Sequence, residues 1–352
     1  MKTSRPGRSR HVWSFTALAL GACGDGRHFA RDDETGPSEV TENGPAHSAT
    51  GGPSGTAASA AGLELVDVWG EGLELEVTGL RWGETGEIEF LVGAADPESR
   101  RPVEGLDGRA FAFAEDGRDL GTEVLFDVSK EQNLRVALVL DLSRSMVAAD
   151  AVEPLQAAAR GLLDALPNGT RVGLVQFASE YDLVRDFTSD LSLLATDIEA
   201  LAPAMDRTGQ FTNLWGALGY AGSLFEEAAD AAEGEGRVVV AFTDGRDNVA
   251  ESDAADARAR LAEAGALVYA VGLGTELDRA ELGELAGPSR FAETTEPRAL
   301  GPIFDDIGRR LGQMMRVRYV TPKVRGAHTL DVTLATADGR RRGGFKVAFD
   351  LD

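Results

Sequence analysis

The chain has 352 residues, room for two ordinary domains, and 43% of them are hydrophobic, enough to bury real cores. A formal charge of −23 repels polynucleotides and anionic lipid, so nucleic acid is excluded as a partner. The single cysteine, Cys23, rules out an internal disulfide and any thiolate-based metal site, and of four histidines only His328 lies beyond residue 47.

Residues 2–11 are basic and residues 12–20 form a short apolar run. That run is too short to span a bilayer, which takes about 20 apolar residues, so residues 1–22 read as a signal peptide rather than an anchor helix. The sequence Leu20-Gly21-Ala22-Cys23 resembles the lipobox of bacterial lipoproteins. The resemblance implies that Cys23 is lipidated and begins the mature chain. Gly24 stands where Gram-negative lipoproteins retained at the inner membrane carry Asp, so the same resemblance implies an outer-membrane location, facing the periplasm or the surface. Ordinary secretion with cleavage at a small residue is the alternative. Residues 23–62 are rich in Gly, Ser, Thr, Pro, Ala and acids, too poor in apolar surface to fold, and read as a tether.

The rhythm then changes. Leu73, Leu75 and Val77 alternate with glutamates, and Glu87-Ile88-Glu89-Phe90 does the same, as strands with one wet face do. Phe111 with Phe113, and Val124 with Phe126, continue the pattern. It returns at the far end as Leu330, Val332 and Leu334, then Phe345, Val347, Phe349 and Leu351, with the hairpin signal Asp338-Gly339 between them. Segments 63–133 and 316–352 are each too small to stand alone, and together approach the ~100 residues of a small β-sandwich. The expectation is that they pair, with residues 134–315 inserted between them.

That middle segment has continuous apolar strands at 136–140, 172–177, 238–242 and 267–271, separated by helical patterns. Leu155, Ala159, Leu162, Leu163 and Leu166 mark one helix face, with Pro154 near the start where its missing N–H is harmless. The fold class expected is α/β, a doubly wound and mostly parallel sheet inserted in or flanked by a small antiparallel β-sandwich.

The first of these strands ends in Asp141-Leu-Ser143-Arg-Ser145. Taken alone, the stretch is equally compatible with a helix cap and with a loop offering hard oxygen ligands to a cation such as Mg²⁺. Two later segments bear on the choice. Asp244 follows the strand at 238–242, and Thr212 stands at the start of a helix after a polar, glycine-bearing loop. Strand ends of open α/β sheets are where ligands bind. In this order the pieces resemble the von Willebrand factor type A domain and its metal-ion-dependent adhesion site, Asp-x-Ser-x-Ser, then Thr, then Asp. The resemblance spans about residues 134–315 and fills all five positions, with Arg144 where Gly is common and Phe211 where small residues are common.

The resemblance implies that Asp141, Ser143, Ser145, Thr212 and Asp244 hold Mg²⁺ (or Mn²⁺), and that the ion grips an Asp or Glu of a protein partner. The function expected is therefore metal-dependent protein binding, adhesion or scaffolding, by an envelope lipoprotein that touches membrane through its lipid anchor only. Two alternatives stand: a structural lipoprotein whose metal site is silent, and a metal-assisted hydrolase. The second lacks a base beside its hydroxyls, because His328 belongs to the β part. Gly272-Leu-Gly274 is read as a turn, Arg340-Arg-Arg342 as a solvated hairpin end, and Trp215 as core packing.

Overall fold

A computed structural model describes residues 62–83, 86–121, 124–130, 133–203, 211–227, 235–249 and 253–351. Cys23 and nearly all of the segments read above as signal peptide and tether lie outside these residues.

The central strands of the parallel sheet carry continuous apolar runs because both of its faces are covered. Strand β7 (Leu134–Asp141) is buried along its whole length. It lies between β8 (Arg171–Phe177) and β10 (Gly236–Thr243), followed outward by β11 (Leu267–Leu273) and the short β12 (Phe291–Thr294). The far edge is β9 (Tyr181–Thr188), which runs antiparallel to β8. The pleat divides β7 between two cores. Val136, Leu138 and Leu140 join the core of α2 (Val152–Ala165), α3 (Leu191–Ala200) and α7 (Leu300–Gly312). Ala137 and Val139 join the core of α4 (Leu214–Glu227), α5 (Ala254–Glu263) and α6 (Arg279–Ala286). A five-residue helix, α1 (Arg144–Ala148), follows β7 directly.

The expected strands are present with extended bounds. The two edges, β9 and β12, lacked an apolar run and were not anticipated. In β9, charged residues interrupt the alternation, and β12 has only four residues.

The remaining strands form two antiparallel sheets, each drawing on both ends of the described chain. One has the order β1 (Leu63–Glu71), β15 (Arg342–Leu351), β14 (Gly326–Ala335), β4 (Phe111–Glu115), β5 (Arg118–Asp119). The other has the order β2 (Glu74–Trp82), β3 (Ile88–Ala95), β13 (Met315–Val320), β6 (Leu125–Ser129). Between them Leu63, Phe90, Phe113, Val317, Leu330 and Phe345 share one core, with the Phe90 and Phe345 rings edge to face at 5.0 Å. Residues 336–341 turn the β14–β15 hairpin, and Gly339 takes the left-handed conformation there, at φ 65°.

The alternation in β2 and β3 suggested a wet outer face, and here the structure differs. Glu76 is 1% exposed and Glu89 4%. The outer face of the second sheet instead supports the underside of the α/β domain. Glu76 pairs with Arg310 of α7, whose guanidinium also donates to the Ser289 carbonyl at 2.8 Å. Thr78 donates to the carbonyl of Gly265 at 3.1 Å, and Leu91 joins the α/β core. Gly236 permits the approach, since a Cβ there would lie 2.5 Å from Leu91. Glu76 is thus paired across an interface, while Glu89 pairs within its own sheet, with Arg81 of β2 and, at 3.0 Å, with Arg318. The Arg340-Arg-Arg342 turn is a solvated end as expected, with exposed ion pairs at its rim: Arg341 lies 3.4 Å from Asp96 and Arg342 2.7 Å from Glu71. No helix among the described residues is long and apolar enough to cross a membrane.

Candidate metal centre

Parallel strands β7 and β10 are adjacent and in register from Gly236 opposite Leu134 to Phe242 opposite Leu140. Asp141 and Asp244 therefore leave the sheet side by side at its carboxyl edge. Ser143 occupies the N-cap position of α1, but its hydroxyl makes no capping bond. It lies 2.9 Å from the hydroxyl of Ser145, which in turn donates to Asp244 Oδ1 at 2.8 Å. Ser143 itself reaches Asp244 Oδ1 at 3.4 Å. The hydroxyls are thus turned away from the helix end and toward the second carboxylate.

Asp141 is fully buried and anchors the loop. Its Oδ1 accepts from the Ser143 N–H at 2.9 Å and its Oδ2 from the Thr243 hydroxyl at 2.8 Å. Thr212 arrives from a third segment. A Cβ on Gly245 would lie 3.6 Å from its hydroxyl oxygen, which places that oxygen beside the Asp244-Gly245 turn. The Thr212 N–H donates to Asn248 Oδ1 at 2.7 Å, and the Asn248 N–H returns to the Thr212 carbonyl at 3.1 Å. Asp247 caps α4 by accepting from the Trp215 N–H at 2.9 Å. Asn213 donates to the Ala178 carbonyl at 2.7 Å, which ties the loop to the β8–β9 turn. Trp215 is buried beneath, with Arg258 over its ring at 5.1 Å.

All five residues singled out in the sequence therefore lie at one sheet edge. Thr243, Asp247 and Asn248 were missed. The last two sit just past a glycine turn, where Asp and Asn characteristically bond nearby backbone, and this is the one signal that could have found them.

The electrostatics of the cluster are those of two carboxylates short of positive charge. Burial pushes the Asp141 carboxyl up. Burial, and then the neighbouring Asp141, push Asp244 up to about 7. Among the described residues no group of three or more His, Cys, Asp and Glu converges on a metal position. The donor set here is instead three hydroxyls and two carboxylates, all hard oxygen, which fits a small divalent cation. Such an ion would relieve the carboxylate repulsion and occupy lone pairs that now face one another.

Residues 136–306 match the family model of the von Willebrand factor type A domain, and this segment is a domain of that type. No curated protein matches the chain. Several solved structures are similar to it. The proximal thread matrix protein 1 of the mussel byssus, in a structure described as having a zinc-occupied adhesion-site motif, is 22% identical over 55% of this chain and 49% of its own, with a TM-score of 0.46. This chain thus spans about half the length of that protein. BatB from Bacteroides thetaiotaomicron is 24% identical over 50% of this chain and 98% of its own, with a TM-score of 0.41. A von Willebrand factor type A protein from Catenulispora acidiphila is 12% identical over 80% of this chain and 74% of its own, with a TM-score of 0.45.

Proposed function

We propose that the protein is a divalent-cation-dependent protein-binding lipoprotein of the bacterial envelope, holding its partner through an acidic side chain. The observation that carries this reading is the convergence of Asp141, Ser143, Ser145, Thr212 and Asp244 at the carboxyl edge of β7 and β10, with Ser143 turned away from its helix-capping role. Asp141 and Thr243 brace the first loop, Asp247 and Asn248 the other two, so the donors are held before any ion arrives. A bound Mg²⁺ or Mn²⁺ would be met by three neutral hydroxyls and two carboxylates, and a hard cation with a coordination position left over takes a partner's carboxylate oxygen as a further ligand. The overall negative charge of the chain does not prevent this, because screening acts over about 8 Å at physiological salt.

Binding rather than catalysis is supported by where His328 lies. It sits on β14 in the sandwich, bonded to Asp116 and to the Arg325 carbonyl, and so is not available as a base to Ser143 or Ser145. The lipid anchor at Cys23, the tether and an outer-membrane location belong to the same proposal.

The test is thermal melting with and without Mg²⁺ or Mn²⁺. At a hundredfold excess over the dissociation constant, a ligand specific to the folded state adds about 2.7 kcal/mol. The wild type is expected to melt several degrees higher with metal, and Asp244→Ala to show no shift. A wild type indifferent to both ions would overturn the reading.

A further inference from the structure

The sandwich has an end that faces away from the α/β domain, and its surface differs from the rest. Strand β13 follows α7 and runs outward from the junction, ending at Val320, which is in register with Leu125 at the start of β6. Gly326 at the start of β14 is opposite Leu351 at the end of β15, and Leu63 opposite Phe349 opens β1 at the same end. Val324 sits in the connection from β13 to β14. It is 84% exposed and Leu125 71%, the two highest values among the large apolar side chains of the described residues, and Val320 is 45% exposed.

The connection that carries Val324 is braced on both sides. Thr321 donates to Glu115 at 2.5 Å and accepts from the Lys323 N–H at 3.0 Å. The Lys323 ammonium lies 3.0 Å from Asp116, and His328 Nε2 lies 2.7 Å from the Arg325 carbonyl. An aliphatic tip between Lys323 and Arg325, held out by its own supports, is the arrangement that inserts at a headgroup boundary while its cations stay among the phosphates.

We infer that this end of the sandwich, through Leu125, Val320 and Val324, rests on the lipid surface. The position of the remaining chain selects a bilayer over other occupants. The described body begins at Gly62, at this same end, 39 residues after Cys23 in the chain. A chain anchored at Cys23 therefore keeps this face, above all others, at high local concentration next to lipid. The inference rests on the proposed anchoring at Cys23 and goes beyond it, because contact is no longer limited to the acyl chains. The acids nearby, Glu64, Asp116, Asp119, Asp127 and Asp350, offset the cations, so the surface fits a zwitterionic bilayer rather than a strongly anionic one. The carboxyl edge of β7 and β10 lies on the side of the α/β domain away from the sandwich. Resting on lipid at one end would leave Asp141, Ser143 and Ser145 facing away from the membrane.

The test uses the full chain, coupled through its one cysteine, Cys23, to a maleimide lipid in phosphatidylcholine vesicles, so that cellular lipidation is not required. Amide hydrogen exchange is compared with that of the uncoupled protein. Residues 321–326 are expected to exchange roughly tenfold more slowly on vesicles, with residues 144–148 unchanged. The double variant Leu125→Asp/Val324→Asp, altered only at exposed positions, is expected to lose that protection while still coupled. Unaltered exchange at 321–326, or equal slowing at both segments, would overturn the inference. The metal-dependent melting shift, read on the uncoupled protein, reports separately on the metal centre.

Discussion

Ser143 stands where a helix cap stands, and its hydroxyl points elsewhere. The same two-fold possibility was open in the sequence, because Asp-x-Ser-x-Ser suits a cap and a cation loop alike. The choice turned on contacts to Asp244, 101 residues further along the chain. Thr243 was unreadable for a similar reason, since nothing about a threonine ending a strand announces that it bonds a carboxylate on the neighbouring strand. His328 is a second case of residue chemistry set by distant partners. Its Nδ1 lies 2.9 Å from the Asp116 carboxylate and its Nε2 2.7 Å from the Arg325 carbonyl, and only the imidazolium donates to both. The Arg325 carbonyl first, and Asp116 second, raise its pKa above the ordinary 6.5. Asp116 is held well below the usual carboxylate range by the Thr329 N–H, Lys323 and His328, so it stays ionised throughout this window. A raised histidine stabilises fully below its unfolded pKa and loses that contribution as pH climbs through the folded value. The stability gap between wild type and His328→Gln, measured by urea melts, is therefore expected to be largest below the ordinary histidine value of 6.5 and to shrink as the pH rises above it. A gap that does not vary with pH would contradict this account.

At the scale of elements, the apolar runs of β7, β8, β10 and β11 were legible because burial on both faces leaves a continuous signature. The edge strands β9 and β12 were not, since an edge needs cover on fewer sides and tolerates charge. Helix α4 shows how an element serves the site. Its first turn is capped by Asp247 from the loop after β10, so one side chain joins the Thr212 segment to the Asp244 segment. Asp247→Ala is expected to cost about 1 kcal/mol of stability as a lost cap. It is also expected to weaken Mg²⁺ binding roughly tenfold, as removal of a group that orients ligands does. Calorimetric titration beside a denaturation curve measures both. Loss of stability with unchanged affinity would show that the cap does not position Thr212.

At the scale of the whole molecule, the sandwich and the α/β domain meet over a buried ion pair. Arg310 is 4% exposed and Glu76 1%, so neither charge has water to fall back on. Arg310→Met, which leaves Glu76 buried alone, is expected to destabilise by about 3–5 kcal/mol. The double variant Glu76→Leu/Arg310→Met is expected to recover most of that loss, because an apolar pair needs no desolvation of charge. Urea denaturation of the two variants decides. A double variant as unstable as the single one would place the cost in lost packing rather than in the orphaned carboxylate.

The sequence by itself determined the class of each segment. Periods of two marked the antiparallel strands, continuous apolar runs the parallel ones, and the order Asp-x-Ser-x-Ser, Thr, Asp the candidate centre. These are local signals, written in the spacing of neighbouring residues. Only the tertiary structure decided that Glu76 and Glu89 are buried, that Ser143 does not cap, and that Thr243, Asp247 and Asn248 hold the loops of the centre. It also decided that Leu125, Val320 and Val324 share one end. Each of these depends on which surfaces meet across tens to hundreds of residues, and a local pattern records that a side chain is polar or apolar without recording what it will touch.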